Sequence, residues 1–238
     1  MSDTLKAIFA YLPTLRLANQ KLLRIWPELP LFSFSECGED VIVLRLFQDH
    51  FNIKKGTYID IGANSPMRYN NTMLLYLEGW RGMVLEPNLK SKDAYRRIRP
   101  EDQLIHSVVS GKDNEQLTFY EMEPDLVSTL SRETVAYHQQ LGYKLLREVP
   151  VKSVSLNTLC KSFKEPVHLI SIDTEGHEGE ILSTFDFKTY KPWAFCIEKI
   201  FTPLEGVIDP FIILEKAGYK PVANTWKNTL FIREDLSV

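Results

Sequence analysis

Cysteine is scarce: the 238-residue chain has three, Cys37, Cys160 and Cys196, odd in number and far apart. That spacing argues against a disulfide framework and against a Cys-x-x-Cys metal knuckle, and it points to a reducing, cytoplasmic setting. Long apolar runs are also lacking. Lys6, Pro13, Arg16, Asn19, Gln20 and Lys21 interrupt the N-terminal segment, so neither a signal peptide nor a transmembrane span is expected. No charge of one sign dominates, and a formal net charge of −3 gives no general nucleic-acid footprint. The one tight basic cluster, Arg96, Arg97 and Arg99, has the spacing of a solvated helix face. No biased or repeated segment suggests a solenoid, a coiled coil or disorder. What remains, 44% hydrophobic and 25% charged residues, fits one sizeable globular α/β domain with a real core.

Hydrophobic periodicity organises that domain. Residues 4–26 read as an amphipathic helix with Leu5, Ile8, Phe9, Leu12 and Leu15 at mixed three and four spacing, interrupted at Pro13. Its Lys6, Arg16, Lys21 and Arg24 would permit weak peripheral contact with an anionic membrane, against the simpler reading of an arm packed on the main domain. Residues 27–30 read as a hinge, and Ser33 to Phe47 as a turn and a helix with acids in its first turn. The division expected is an arm and leading helix over residues 1–50 and a sheet domain over 51–238, with 121–148 an irregular insertion that lids the site or shapes the substrate pocket.

Within the sheet domain, strands are expected at Tyr58–Ile59, Met83–Leu85, Gln103–Val109, Leu117–Tyr120, Val149–Ser155, Val167–Ile172, Trp193–Ile197, Tyr219–Thr225 and Thr229–Arg233, with helices between most of them. Asn70, Asn71 or Thr72 would cap the first of these helices, and Gly79 would stop it. This alternation argues for a mostly parallel sheet with one reversed edge strand and helices on both faces.

Two strand endings carry chemistry at once. Tyr58-Ile59 runs into Asp60 and the turn Gly62-Ala63-Asn64, and Met83-Val84-Leu85 runs into Glu86. Strand, glycine turn, helix, strand, acid is the pattern of a nucleoside-binding βαβ unit. Asp60 can accept from a ligand ammonium, Gly62 lets the main chain approach a ligand, and Glu86 suits two ribose hydroxyls. The turn lacks the Gly-x-Gly-x-x-Gly that seats a pyrophosphate, and no Gly-Lys-Ser/Thr loop occurs. A nucleoside without phosphates fits better. Ligands bind such sheets outside the carboxyl ends of the strands, which places Asp60, Glu86, Ser107 and Asp173 in one crevice.

The chain resembles the FkbM-type branch of S-adenosylmethionine-dependent methyltransferases. The residues that carry this are Ser35-Glu36-Cys37-Gly38-Glu39-Asp40, Tyr58 through Pro66, Asn70-Asn71-Thr72, Gly79-Trp80-Arg81-Gly82 leading to Leu85-Glu86-Pro87-Asn88, and Ile172-Asp173-Thr174-Glu175-Gly176-His177-Glu178. Glu36 departs from the glutamine frequent in the family. The resemblance implies a class I methyltransferase (Rossmann-like) seven-stranded sheet and O-methyl transfer to a hydroxyl of a sugar, glycan or secondary metabolite, with S-adenosylhomocysteine as product. By position it puts Asp60, Gly62 and Asn64 at the methionine part of the cofactor, Glu86 at the ribose and residues near Ser107 and Val108 at the adenine, with Asn88 also cofactor-binding.

A hydroxyl acceptor must lose a proton, and Asp173, Glu175 and His177 are the candidates, with Asp173 also near the cofactor. Glu175 and Glu178 also suit a helix start, which would leave His177 on the first turn. A hard divalent cation between Asp173, Glu175 and an acid such as Glu39 is conceivable without being required. Phe32, Phe34, Tyr69, Tyr137 and His138 are the candidate walls for the acceptor. The competing classes are a nucleotide-sugar or NAD-type enzyme, disfavoured by the missing pyrophosphate turn, and a binding module that keeps the fold without catalysis. Oligomeric state has no signature in the chain.

Overall fold

The computed structural model describes residues 32–164, 166–199 and 208–236. The arm expected over residues 4–26 and the hinge after it lie outside the described residues. Seven strands form the main sheet: β1 (Thr57–Ile61), β2 (Arg81–Leu85), β3 (Gln103–Ile105), β7 (Leu169–Ile172), β8 (Ala194–Glu198), β9 (Tyr219–Asn224) and β10 (Asn228–Arg233). Their order is β3-β2-β1-β7-β8-β10-β9. Five neighbouring strands run parallel and β10 runs antiparallel to both β8 and β9. The reversed strand therefore sits one place inside the edge rather than at it, because the β9–β10 hairpin folds back and inserts its second strand beside β8.

Strand composition explains this placement. β7 reads Leu-Ile-Ser-Ile and is buried throughout, as parallel strands covered on both faces must be. Alternate side chains feed two cores. Ile59, Ile61, Ile170, Ile172 and Ile197 point to one face, where Leu156, Leu159, Ile181 and Leu214 cover them. Tyr58, Val84, Leu169 and Cys196 point to the other, against Val43, Leu44, Phe47, Leu75 and Trp80. Phe47 and Trp80 pack edge to face at 5.0 Å between ring centroids. Truncating a buried isoleucine such as Ile170 would cost about 2–5 kcal/mol.

The helices on one face are α1 (Glu39–Arg45), α2 (Met73–Leu77) and α3 (Lys92–Ile98). Those on the other are α5 (Leu156–Lys161), α6 (Glu178–Ser183) and α7 (Pro210–Lys216), and α4 (Arg132–Gln140) lies outside the sheet. Gly79, at φ 92°, follows α2 as expected. Thr72 stands at the start of α2 but its hydroxyl does not cap it, because that hydroxyl donates to the buried carboxylate of Asp60 at 2.5 Å.

Two strand expectations change. Gln103 to Val109 is not one strand: residues 103–105 pair with β2, and β4 (Val108–Ser110) leaves to pair with β6 (Lys144–Ser155) in a second sheet ordered β4-β6-β5. The break falls at His106-Ser107, where the Ser107 hydroxyl donates to Lys152 O at 2.7 Å. The stretch 121–148 is more regular than its composition suggests. β5 (Gln116–Glu123) and β6 pair antiparallel from Gln116↔Lys152 to Glu123↔Lys144, with a register shift between Glu121 and Met122, forming an arm whose tip carries a 3-10 turn (Asp125–Val127) and α4. Most of the β6 side chains before Val149 are exposed, so the apolar alternation of a half-buried strand is absent there.

Candidate active site and cofactor cleft

The chain leaves β1 in opposite directions on either side: β2 and β3 are reached first, and β7 and β8 afterwards. Such a reversal opens a crevice at the strand carboxyl ends, and a cleft of about 260 Å³ lies there, walled by the ends of β1, β2, β7 and β8 and by the arm segment 124–130. Its floor is the turn after β1. Gly62 stands at φ 77°, and a Cβ there would lie 1.7 Å from the carbonyl oxygen of Asp173. Only glycine lets β1 and β7 end in contact.

Glu86 organises one half of the cleft. Its Oε2 accepts from the Asn64 N–H at 2.8 Å and its Oε1 from the Asn88 N–H at 2.6 Å. Each carboxylate oxygen has two lone pairs, so one site per oxygen remains for two neighbouring hydroxyls. Burial pushes this carboxyl up to about 7, against the lowering effect of the two amides.

Three carboxylates form the opposite half. Asp173 and Glu175 follow β7, Glu198 ends β8, and each offers an oxygen within 4.8 Å of the others. All three line the cleft, as does Lys227. Asp173 and Glu175 keep some surface toward the opening, yet protein surrounds them elsewhere, and this desolvation pushes Asp173 up to about 7 and Glu175 up to about 8. Glu198 is raised well above its ordinary value, by burial first and by Asp173 next. Oxygens at this spacing suit a shared proton or a hard divalent cation.

The turn that presents these acids is held from behind. Glu178, fully buried, accepts from the Thr174 N–H at 2.7 Å, the Thr174 hydroxyl at 2.7 Å and the Gly176 N–H at 3.1 Å. Glu175 itself has φ 55°, and its carbonyl accepts from the Thr129 hydroxyl at 2.9 Å, which ties the arm to the site.

Of the residues expected in the site, Gly62, Asn64, Glu86, Ser107, Val108, Asp173 and Glu175 line the cleft, whereas Asp60, Asn88 and His177 do not. Asp60 is turned into the protein, against Thr72 and within 4.0 Å of Arg99. Asn88 contributes its N–H to Glu86, but its side chain caps the following 3-10 turn. His177, at the start of α6, faces Glu180 at 3.4 Å. Glu39 is also elsewhere: it binds the Thr225 hydroxyl, Asn228 Nδ2 and the Cys37 N–H, so the third acid near Asp173 is Glu198. Among the proposed acceptor walls only Tyr69 lines the cleft; Phe32, Phe34, Tyr137 and His138 do not.

Sequence reasoning missed Glu198, Asn71, Glu36 and Lys227 as cleft residues, whereas the insertion expected over 121–148 does wall the cleft, through residues 124–130 and Tyr143. Glu198 carried a usable signal, since Ala-Phe-Cys-Ile-Glu repeats the apolar run ending on an acid seen at Glu86 and Asp173. Lys227, in a hairpin turn, carried none.

A Rossmann-like sheet with β10 reversed beside β8, a glycine turn after β1 and an acid after β2 define a class I methyltransferase fold. The methyltransferase FkbM domain model matches residues 60–221, and the chain belongs to that family of S-adenosylmethionine-dependent methyltransferases. Among solved structures it is similar to the 1,6-didemethyltoxoflavin-N1-methyltransferase of Burkholderia thailandensis, with bound 1,6-didemethyltoxoflavin and S-adenosylhomocysteine, at 9% identity and TM-score 0.41, covering 94% of this chain and 89% of that one. It is also similar to an O-methyltransferase of Bacillus cereus in complex with S-adenosylhomocysteine, at 13% identity and TM-score 0.41, with the same coverage of 94% and 89%. No curated protein matches the chain significantly.

Proposed function

We propose that this methyltransferase acts on a hydroxyl oxygen of a small-molecule, sugar or glycan acceptor, with the donor seated between Glu86 and the Gly62–Asn64 turn. In this reading residues 51–238 are the catalytic domain and residues 1–50 an arm and leading helix. The observation that carries it is the division of one cleft into two halves of different chemistry. The Glu86 half offers paired acceptor sites suited to a ribose, Ser107 and Val108 flank the space beyond it for the adenine, and the Asp173 half gathers carboxylates that can take a proton.

S-adenosylmethionine supplies an electrophilic methyl when bound. Attack by an oxygen must be in line with that methyl, so holding donor and acceptor in place supplies much of the acceleration. The acceptor hydroxyl must also release its proton. Burial and the neighbouring carboxylates raise Asp173 above its ordinary value, as they raise Glu175 and Glu198 beside it, so this cluster can take up a proton from the acceptor. Tyr69 and the arm segment 124–130 wall the cleft and would shape the acceptor pocket. Among the described residues no helix is long and apolar enough to cross a membrane.

A screen with methyl-labelled donor against monosaccharides, glycans, nucleotide sugars and small hydroxylated metabolites tests the reading. The expected result is label on oxygen for at least one of these classes. Label on nitrogen or carbon only would contradict the oxygen assignment.

A further inference from the structure

The triplet Asn70-Asn71-Thr72 belongs to the pattern by which the chain resembles its family, yet nothing in the proposed chemistry uses Asn70 or Thr72. Both are buried, and neither lines the cleft. Asn70 spans two systems. Its Nδ2 donates to Ser65 O at 3.0 Å and to Ala63 O at 3.2 Å. Its Oδ1 accepts from Arg99 Nη1 at 2.9 Å and from the Thr72 N–H at 3.1 Å. Because each end of the amide has partners that only that end can serve, the amide has a single orientation.

Arg99 fixes it. Far from lying on a solvated helix face, this guanidinium is 1% exposed. It donates to Asp102 Oδ2 at 2.7 Å and to Asn70, the Tyr58 hydroxyl and the Thr72 hydroxyl at 2.9 Å each. The planar fork cannot turn without losing several of these bonds together. A second bolt comes from Tyr95, whose hydroxyl donates to the same Ala63 carbonyl at 3.1 Å.

The consequence lies in one peptide unit. The carbonyl of the 63–64 peptide is held by Asn70 and Tyr95, and its N–H by Glu86 Oε2 at 2.8 Å. Planarity transmits orientation from one end of that unit to the other. Asn64, at φ 43°, is a cleft residue in the sparsely populated left-handed region and needs surrounding contacts to stay there.

We infer that Asn70, locked by Arg99, is a positioning residue for the cofactor: together with Tyr95 it sets the 63–64 peptide, and through that peptide's N–H it aims Glu86. This rests on the cofactor reading of the Glu86 half. Loss of the clamp lets Asn64 and Glu86 reorient and weakens donor binding, while Asp173 and its neighbours stay in place.

The test compares three variants by calorimetric titration with S-adenosylhomocysteine and by steady-state kinetics in the donor. Asn70→Asp keeps the shape but turns an acceptor toward two carbonyl oxygens, and Tyr95→Phe removes one bolt only. Tyr219→Phe deletes a buried tyrosine hydrogen bond of the same kind, to Pro192 O at 2.8 Å, on the other face of the sheet. Expected are Kd increases of about tenfold or more for Asn70→Asp, about three- to fivefold for Tyr95→Phe and none for Tyr219→Phe, with kcat at saturating donor within about threefold throughout. Should Asn70→Asp fail to fold, the Tyr95→Phe and Tyr219→Phe pair decides. Equal Kd values for those two, or a loss confined to kcat, would overturn the inference. Failure of the wild-type protein to bind S-adenosylhomocysteine would instead remove the cofactor reading and the inference with it.

Discussion

Two groups of carboxylates lie near the ends of the central strands, and they differ in partners: one is gathered around a guanidinium, the other is crowded with its own sign. Around Arg99, Asp102 receives the guanidinium Nε, the Tyr58 hydroxyl and the Gly82 N–H, and Asp60 receives the Thr72 hydroxyl with Arg99 at 4.0 Å. At the ends of β7 and β8, Asp173, Glu175 and Glu198 crowd within 4.8 Å with the Lys227 ammonium as the opposing charge. Buried charge persists comfortably when paired and is costly when crowded with its own sign. The first group holds the fold in shape. The second has its carboxyl groups raised by burial and mutual repulsion in a cleft, which is where a reaction that removes a proton can use them.

The largest expected effect sharpens this contrast. Asp173→Asn should lower kcat by about 10²- to 10⁴-fold while leaving S-adenosylhomocysteine affinity within about threefold, as read by single-turnover kinetics and titration. Full activity on the true acceptor would break the comparison. Next, Arg99→Met strands Asp60 and Asp102 without their cation and should cost about 3–5 kcal/mol in urea unfolding. A loss under about 1 kcal/mol would mean the network is not the structural half.

Glu86 tests the sign of the electrostatics. Burial raises its folded pKa from 4.5 to about 7, so the folded state holds the proton more tightly than the unfolded chain. Its contribution to stability is full below pH 4.5 and is lost as pH rises through about 7. Glu86→Gln should flatten stability over that window by about 2–3 kcal/mol and weaken cofactor binding about tenfold. An unchanged pH slope would contradict the assignment. The smallest effect belongs to His177→Ala, for which kcat should change less than about threefold, since the imidazole faces Glu180 rather than the cleft.

What could be read in the sequence follows from physics acting along the chain. Buried parallel strands are continuous apolar runs, so Tyr58–Ile59, Met83–Leu85 and Val167–Ile172 were visible with the acids that end them. Gly62 was visible because close approach demands glycine. Side-chain direction was not: Asp60 and Glu86 both stand at strand ends, yet β1 alternation sends Asp60 toward Thr72 and the chain after β2 brings Glu86 to the cleft. Arg99 shared its spacing with two other arginines, and only folding puts Tyr58, Asn70 and Asp102 around it. The place of 121–148 beside the site was legible but its paired ribbon was not, because that ribbon is exposed, and Lys227 hid because a hairpin delivers it from the far end of the chain.

The most direct measurement is thermal unfolding of the wild-type protein with and without S-adenosylhomocysteine, with NAD as the comparison ligand. At a ligand concentration about 100 times Kd, binding to the folded state alone adds about 2.7 kcal/mol. For a chain of this length each kcal/mol moves the transition by about 2–4 °C. A rise of about 5–11 °C with S-adenosylhomocysteine and none with NAD is the result expected. No shift at saturating S-adenosylhomocysteine, or an equal shift with NAD, would contradict the placement of a sulfonium nucleoside between Glu86 and the Gly62 turn.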